Sequence, residues 1–123
     1  MKIINWNDYL NDAIYDEAVG IRIKKLMGER NFSTYITEIL PDKFVKAHYH
    51  KKGAEHYHIM SGTGEITLTN LTTRKKEKKR VEKYHSFSVP ENTIHSLKNI
   101  GKEPLLLIFS CPESHLDEDR HTV

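Results

Sequence analysis

From Asn31 to Cys111 the chain is a succession of short apolar or alternating runs, each closed by a turn signal. Phe32 to Leu40 alternates and is rich in β-branched and aromatic residues, and Pro41-Asp42 ends it. Phe44 to His50 follows, closed by Lys51-Lys52-Gly53, and then Glu55 to Met60, closed by Ser61-Gly62-Thr63-Gly64. Glu65 to Leu71 and Val81 to Tyr84 flank a basic stretch. Phe87 to Val89, Ile94 to Asn99 and Leu105 to Ser110 complete the series, with Gly101-Lys102-Glu103-Pro104 between the last two. Runs this short leave no room for a helical bundle. They predict an all-β fold, a sandwich or barrel of about eight strands.

The flanks differ. Val19, Ile23 and Met27 recur four apart and predict a short helix within Asp16 to Met27, against which Gly20 and the alternation of Ile21 and Ile23 argue. The tail from Pro112 is polar and is expected to fray or to pack on a neighbour. With 123 residues the chain is expected to form one domain over 1–123: a strand-rich core at about 32–111, a partly helical N-terminal segment at 1–30 and a tail at 112–123.

No apolar run approaches the ~20 residues that a membrane-crossing helix needs, so no membrane partner is expected. Leu105 to Phe109 has the length of a buried strand and is apolar on both faces. One face fills the interior, and the other calls for cover by the N-terminal segment or a second subunit, so a homodimer is expected. The single cysteine, Cys111, excludes a disulfide framework and a cysteine-based zinc site. Met1 to Asp8 lacks the apolar stretch of a secretion signal, and a cytoplasmic location is expected.

The net charge of +2 hides an asymmetry. Arg74-Lys75-Lys76-Glu77-Lys78-Lys79-Arg80 carries +5, and the rest of the chain −3. A basic run can hold phosphates by counterion release. No aromatic residue interleaves it and no recognition helix surrounds it, so it is read as a solvated hairpin tip and nucleic acid is not an expected partner.

All eight histidines follow position 47. His48 and His50 are two apart in a predicted strand, so they share a face with Cα atoms ~6.6 Å apart. Imidazoles so placed can tilt toward one ion at nitrogen distances near ~2.1 Å. Glu55 follows a turn and, if that turn makes a hairpin, opens the neighbouring strand toward the same interior. His95 opens a later strand. Three imidazoles and a carboxylate suit a divalent transition metal: Fe, Mn, Zn, Ni, Co or Cu.

His48-Tyr49-His50-Lys51-Lys52-Gly53-Ala54-Glu55, with Gly62 seven beyond Glu55, resembles the first motif of the cupin family. Pro90-Glu91-Asn92-Thr93-Ile94-His95-Ser96-Leu97-Lys98-Asn99 resembles the second. The resemblance covers about residues 32–111. It implies a double-stranded β-helix (the jelly-roll or cupin barrel) and His48, His50, Glu55 and His95 as metal ligands. Pro90, Asn99 and Gly62 match positions that shape turns or support strands. Three family glycines are replaced, by Asp42, Tyr84 and Asn92. Asp and Asn tolerate the left-handed backbone region, whereas Tyr84 does so only at a cost, so its turn is expected to be reshaped.

Strand parity assigns the remaining side chains. With Glu55 inward, Tyr57 and Ile59 are inward and His56 and His58 outward. Phe44 and Lys46 are expected on the His48 face, Leu97 and Asn99 on the His95 face, and, from the resemblance, Tyr35, Thr37 and Ile39 inward. Glu55, Tyr35 and Tyr57 are the candidate catalytic groups, the tyrosines as acid/base or substrate-orienting phenols. His115 and His121 are read as surface residues, and His85 as lacking a partner.

Four protein ligands on an octahedral ion leave two positions for water, O₂ or a substrate, whereas a tetrahedral zinc would be closed and structural. Glu55 as permanent ligand and Glu55 as mobile base both fit. The expected function is that of a metal-dependent enzyme acting on a small polar metabolite, of oxygenase, isomerase or epimerase, or lyase type. The alternative is a non-catalytic module that binds metal or a small ligand.

Overall fold

The computed structural model describes residues 1–123. Its elements are α1 (Trp6–Asn11), β1 (Ile14–Asp16), β2 (Ile21–Glu29), β3 (Phe32–Ile39), β4 (His48–Tyr49), β5 (Glu55–Ser61), β6 (Thr63–Asn70), β7 (Lys76–Glu82), β8 (Ser86–Val89), β9 (Thr93–Asn99), β10 (Leu105–Cys111), a 3-10 turn at Glu113–Leu116, and β11 (His121–Thr122). Two antiparallel sheets face each other. One has the order β1-β2-β3-β10-β5-β8, the other β11-β4-β9-β6-β7. Six of the nine neighbouring strand pairs are not consecutive in sequence, which is the crossed connectivity of a double-stranded β-helix. No helix is long and apolar enough to cross a membrane.

The strands of the core follow from period-two patterning. In β5, Glu55, Tyr57 and Ile59 are buried while His56 and His58 are exposed, as parity requires. In β10, Leu105, Leu107, Phe109 and Cys111 join a cluster between the sheets with Tyr35, Ile39, Ile66 and Leu97. Ile108 points the other way, into a smaller cluster with Leu10, Leu26 and Ile36. The cover for the outer face of β10 therefore includes α1. That helix is only six residues long, and its first N–H groups are capped by Asn5, whose Oδ1 accepts from Asn7 N at 2.8 Å.

Several expectations are corrected. Asp16 to Met27 is not helical. Gly20 turns the chain at φ +79°, and Ile21 to Glu29 pairs along its length with β3, so the alternation of Ile21 and Ile23 prevailed over the fourfold spacing. Only the first two residues of the basic run, Arg74 and Lys75, lie in the tip of the β6–β7 hairpin. The turn is Leu71 to Lys75, and Lys76 to Arg80 lie in β7, an edge strand of the five-stranded sheet. Lysines on an edge discourage pairing with another chain. Tyr84 is not reshaped away from the glycine conformation but adopts it, at φ +76°. Backbone bonds hold it there, Tyr84 N to Ile59 O and His85 N to Glu82 O, and the Nδ1 of His85 accepts from Glu82 N.

Phe44 and Lys46 do not share the His48 face. Both are exposed, and Val45 is buried instead. Residues 43–47 are not a continuous strand: Val45 N bonds Leu97 O on β9 while Lys46 N bonds Val19 O in the turn between β1 and β2, which breaks the parity before His48. Nor do His48 and Glu55 belong to one hairpin. β4 and β5 lie in opposite sheets, and their residues meet across the interior. The tail neither frays nor departs. It forms the 3-10 turn and then β11, which pairs with β4.

Candidate metal centre

His48 and His95 are register partners on β4 and β9, so their side chains leave one sheet side by side, with ring centroids 4.3 Å apart. His50 continues from β4, its ring centroid 5.0 Å from that of His48 and 5.2 Å from that of His95. One ring nitrogen of each lies within 4.8 Å of the others. Glu55 comes from the facing sheet, and its carboxylate oxygens lie 3.2 Å from His50 Nε2 and 3.4 Å from His95 Nε2. All four side chains are buried.

The main chain orients the three rings. His48 Nδ1 is 2.7 Å from Lys46 O, His50 Nδ1 is 2.5 Å from Asp119 O, and His95 Nδ1 is 3.0 Å from Thr93 O. A carbonyl oxygen only accepts, so each Nδ1 carries a proton, and in the neutral ring Nε2 then presents a lone pair. That arrangement fixes the tautomer of a metal-binding histidine. Burial and the neighbouring His95 also push His48 down to about 3, so it stays neutral. His50 Nε2 and His95 Nε2 are buried and make no hydrogen bond, despite their nearness to Glu55. Buried nitrogens are rarely left so, and a cation between them would satisfy both. Three nitrogen lone pairs and a carboxylate are the donor set of a divalent transition ion.

Glu55 is tied on both oxygens. Tyr57 Oη donates to Oε1 at 2.8 Å, and His115 Nδ1 to Oε2 at 2.9 Å. Burial works against its charge, but the hydrogen bond from His115 and the nearness of His50 and His95 hold the carboxyl well below its usual range. His115 also donates from Nε2 to Lys52 O, at 2.6 Å. Both its nitrogens face acceptors, and although burial opposes its charge, these contacts raise its pKa. Burial and the Glu55 charge raise Tyr57 well above the usual phenol range, so it keeps its proton. Tyr35 stacks on Phe109 at 5.1 Å and makes no hydrogen bond to the cluster. Burial, with Cys111 next, pushes it up to about 12.

The reading of His115 as a surface residue is overturned, since it is 1% exposed and stacks on His50 with centroids 3.9 Å apart. His121 is half-buried, bonded to Asp119 Oδ1 at 3.0 Å. The sequence assigns no place near the cluster to Cys111, whose thiol is raised by burial and by Glu55, or to Arg120, which forms a two-point ion pair with Asp16. A signal was present: two histidines, Asp119 and Arg120 directly follow the last core strand. A cavity of about 30 Å³ adjoins the cluster, lined by His48, Glu55, Tyr57, His115, Leu116 and Arg120 together with aliphatic side chains.

The model of one family, described as mannose-6-phosphate isomerase C-terminal, matches residues 22–122, nearly the whole strand-rich chain. The chain belongs to this family. The mannose-6-phosphate isomerase C-terminal family is of cupin type, and the fold agrees. An uncharacterized Klebsiella pneumoniae protein with a double-stranded β-helix domain superposes with a TM-score of 0.72 at 14% identity, over 91% of this chain and 90% of that one. The oxalate decarboxylase of Bacillus subtilis, described with Mn(II) centres, gives 0.69 at 19% identity, over 84% of this chain and 28% of that one. A mannose-1-phosphate guanylyltransferase of Salmonella typhimurium is 32% identical over 90 residues, which are 73% of this chain and 18% of that enzyme. The chain thus spans about a fifth of the length of that curated relative.

Proposed function

We propose that this cupin domain binds one divalent transition metal through His48, His50, Glu55 and His95 and uses it in isomerase-type chemistry on a small polyhydroxylated metabolite. The two buried Nε2 atoms without hydrogen bonds, grouped with a ring nitrogen of His48 and lying 3.2 and 3.4 Å from Glu55 oxygens, carry the metal assignment. The choice of isomerisation over oxygenation or elimination draws on membership of the mannose-6-phosphate isomerase C-terminal family. A bound divalent ion would supply Lewis-acid polarisation of a substrate carbonyl. The three imidazoles hold their lone pairs in place through Nδ1–H bonds to the main chain. Tyr57 keeps its proton at Oη and donates it to Glu55 as a hydrogen bond. Glu55 is the one carboxylate facing the cavity, and its two bonds from Tyr57 and His115 set where it points.

A second reading has its own support. The cavity of about 30 Å³ has room for only a few waters, since one water needs roughly 10–15 Å³ of such volume, and it lies below the ~300 Å³ of ordinary small-molecule pockets. A domain that holds a metal without turning over substrate would need no more.

Elemental analysis of protein purified without added metal comes first, with His50→Ala and His95→Ala beside it. One equivalent of a transition metal in the parent and little in either variant is expected. Metal in neither parent nor variants, or equal metal in all three, refutes the assignment. Metal-reconstituted protein is then incubated with aldoses, ketoses and their phosphates. Metal-dependent interconversion supports the isomerase reading, and its absence in loaded protein favours the binding module.

A further inference from the structure

Two of the four proposed ligands are oriented by a segment that lies outside both cupin-like motifs. His50 donates from Nδ1 to the carbonyl of Asp119, and Glu55 accepts from Nδ1 of His115. His115 is in turn fixed by Lys52 O at Nε2 and by the face of His50, against which its ring lies at an interplanar angle of 5°. Asp119 is fixed as well. Its carboxylate accepts from Lys51 N at 2.8 Å and from Lys52 N at 3.0 Å, in the loop between His50 and Glu55. Arg120, the next residue, clamps the segment to Asp16 at 2.7 and 3.2 Å.

We infer that residues 112–122 are a working part of the metal centre, with His115 as the positioning residue of Glu55 and the Asp119 main chain as that of His50. The inference rests on the metal assignment above. Glu55 stands alone on the sheet opposite the three imidazoles, so rotation of its carboxylate would carry an oxygen out of reach of the ion. Tyr57 holds Oε1 and His115 holds Oε2, and only the pair fixes the plane. Outer contacts of this kind change metal affinity about 10- to 100-fold.

Asparagine and glutamine separate positioning from bulk packing, because the side-chain amide of Asn reaches the place of Nδ1 and that of Gln the place of Nε2. His115→Asn keeps the donor to Glu55, and His115→Gln keeps only the donor to Lys52 O. Co(II) is titrated into each full-length protein, and the visible absorption of the bound ion is recorded. His115→Asn is expected to bind within about threefold of the parent with a similar spectrum. His115→Gln is expected to bind at least tenfold more weakly with an altered one. Equal affinities and spectra in all three, or the same loss in both variants, would overturn the inference. Asp119→Ala removes nothing from the core and releases the carbonyl that faces His50. It is expected to weaken Co(II) about tenfold, and it decides the matter should both His115 variants fail to fold. A folded Asp119→Ala with parental affinity also overturns the inference. A parent that takes up no Co(II) sinks the metal assignment instead.

Discussion

Stripping the metal should lower the stability of this domain by an amount that the structure bounds. Without an ion, His50 Nε2 and His95 Nε2 are buried with no hydrogen-bond partner, and each such atom costs roughly 1–3 kcal/mol. An ion relieves both at once, so the site accounts for about 2–6 kcal/mol of difference between loaded and empty protein. Linkage gives a comparable figure: free metal at 100 times its dissociation constant stabilises the folded state by about 2.7 kcal/mol. For 123 residues the unfolding entropy near the midpoint is about 0.26 kcal/mol per kelvin, so each kcal/mol moves Tm by about 4 °C. Metal at 100-fold excess should therefore raise Tm by about 10 °C over protein in chelator, read by calorimetry or circular dichroism. His95→Ala should show almost none of that rise. A shift under about 2 °C at a metal concentration where one equivalent is demonstrably bound would refute the reasoning, because the orphaned nitrogens would then be satisfied in some other way.

Gly62→Ala places a Cβ 2.6 Å from Pro104 O and 2.8 Å from Leu105 Cα at φ +87°, so it should cost more than ~1–2 kcal/mol in urea denaturation. A loss below 0.5 kcal/mol, on the order of an ordinary surface change, would contradict the packing of that turn. Leu10→Ala opens the cluster of Leu10, Leu26, Ile36 and Ile108 and should destabilise by about 2 kcal/mol, near the low end for buried leucine because α1 is short. Lys78→Thr with Lys79→Thr leaves the core untouched and should raise the aggregated fraction in light scattering by removing charge from the middle of the β7 edge. A hydrogen bond from Lys25 lowers the pKa of Glu113, so its contribution is present above the ordinary Glu range and fades as pH falls through the lowered folded value. In an NMR titration Lys25→Met should return Glu113 toward that ordinary range.

The strands were legible because their signal is local. β5 shows its period within seven residues, and Glu55, Tyr57 and Ile59 are buried as the alternation alone requires. The failures occur where local order is broken by distant partners. Asp16 to Met27 is ambiguous between two periods, and pairing of β2 with β3 from Arg22 onward decides between them. Val45 and His48 both face β9 and the interior although three residues apart, because Lys46 between them bonds out to Val19 and interrupts the pairing. Neither signal exists within the segment itself.

The same division runs through the candidate site. His48 and His50 share a face through strand geometry, so spacing finds them, and motif resemblance adds Glu55 and His95. What prepares these groups to hold an ion is set elsewhere. The carbonyls that fix the three tautomers belong to Lys46, Thr93 and Asp119, and the acceptor for His50 lies 69 residues further along the chain. A carbonyl has no residue identity, so no reading of side-chain types can reveal it. His115 was visible as a type but not as a place, since only the pairing of β11 with β4 brings the tail back over the barrel. Imidazoles with Nδ1 tied to the main chain and Nε2 turned inward are thus a product of tertiary structure. An unfolded chain with the same histidines, each free to choose either nitrogen, would bind an ion far more weakly, and folding and metal binding should reinforce each other.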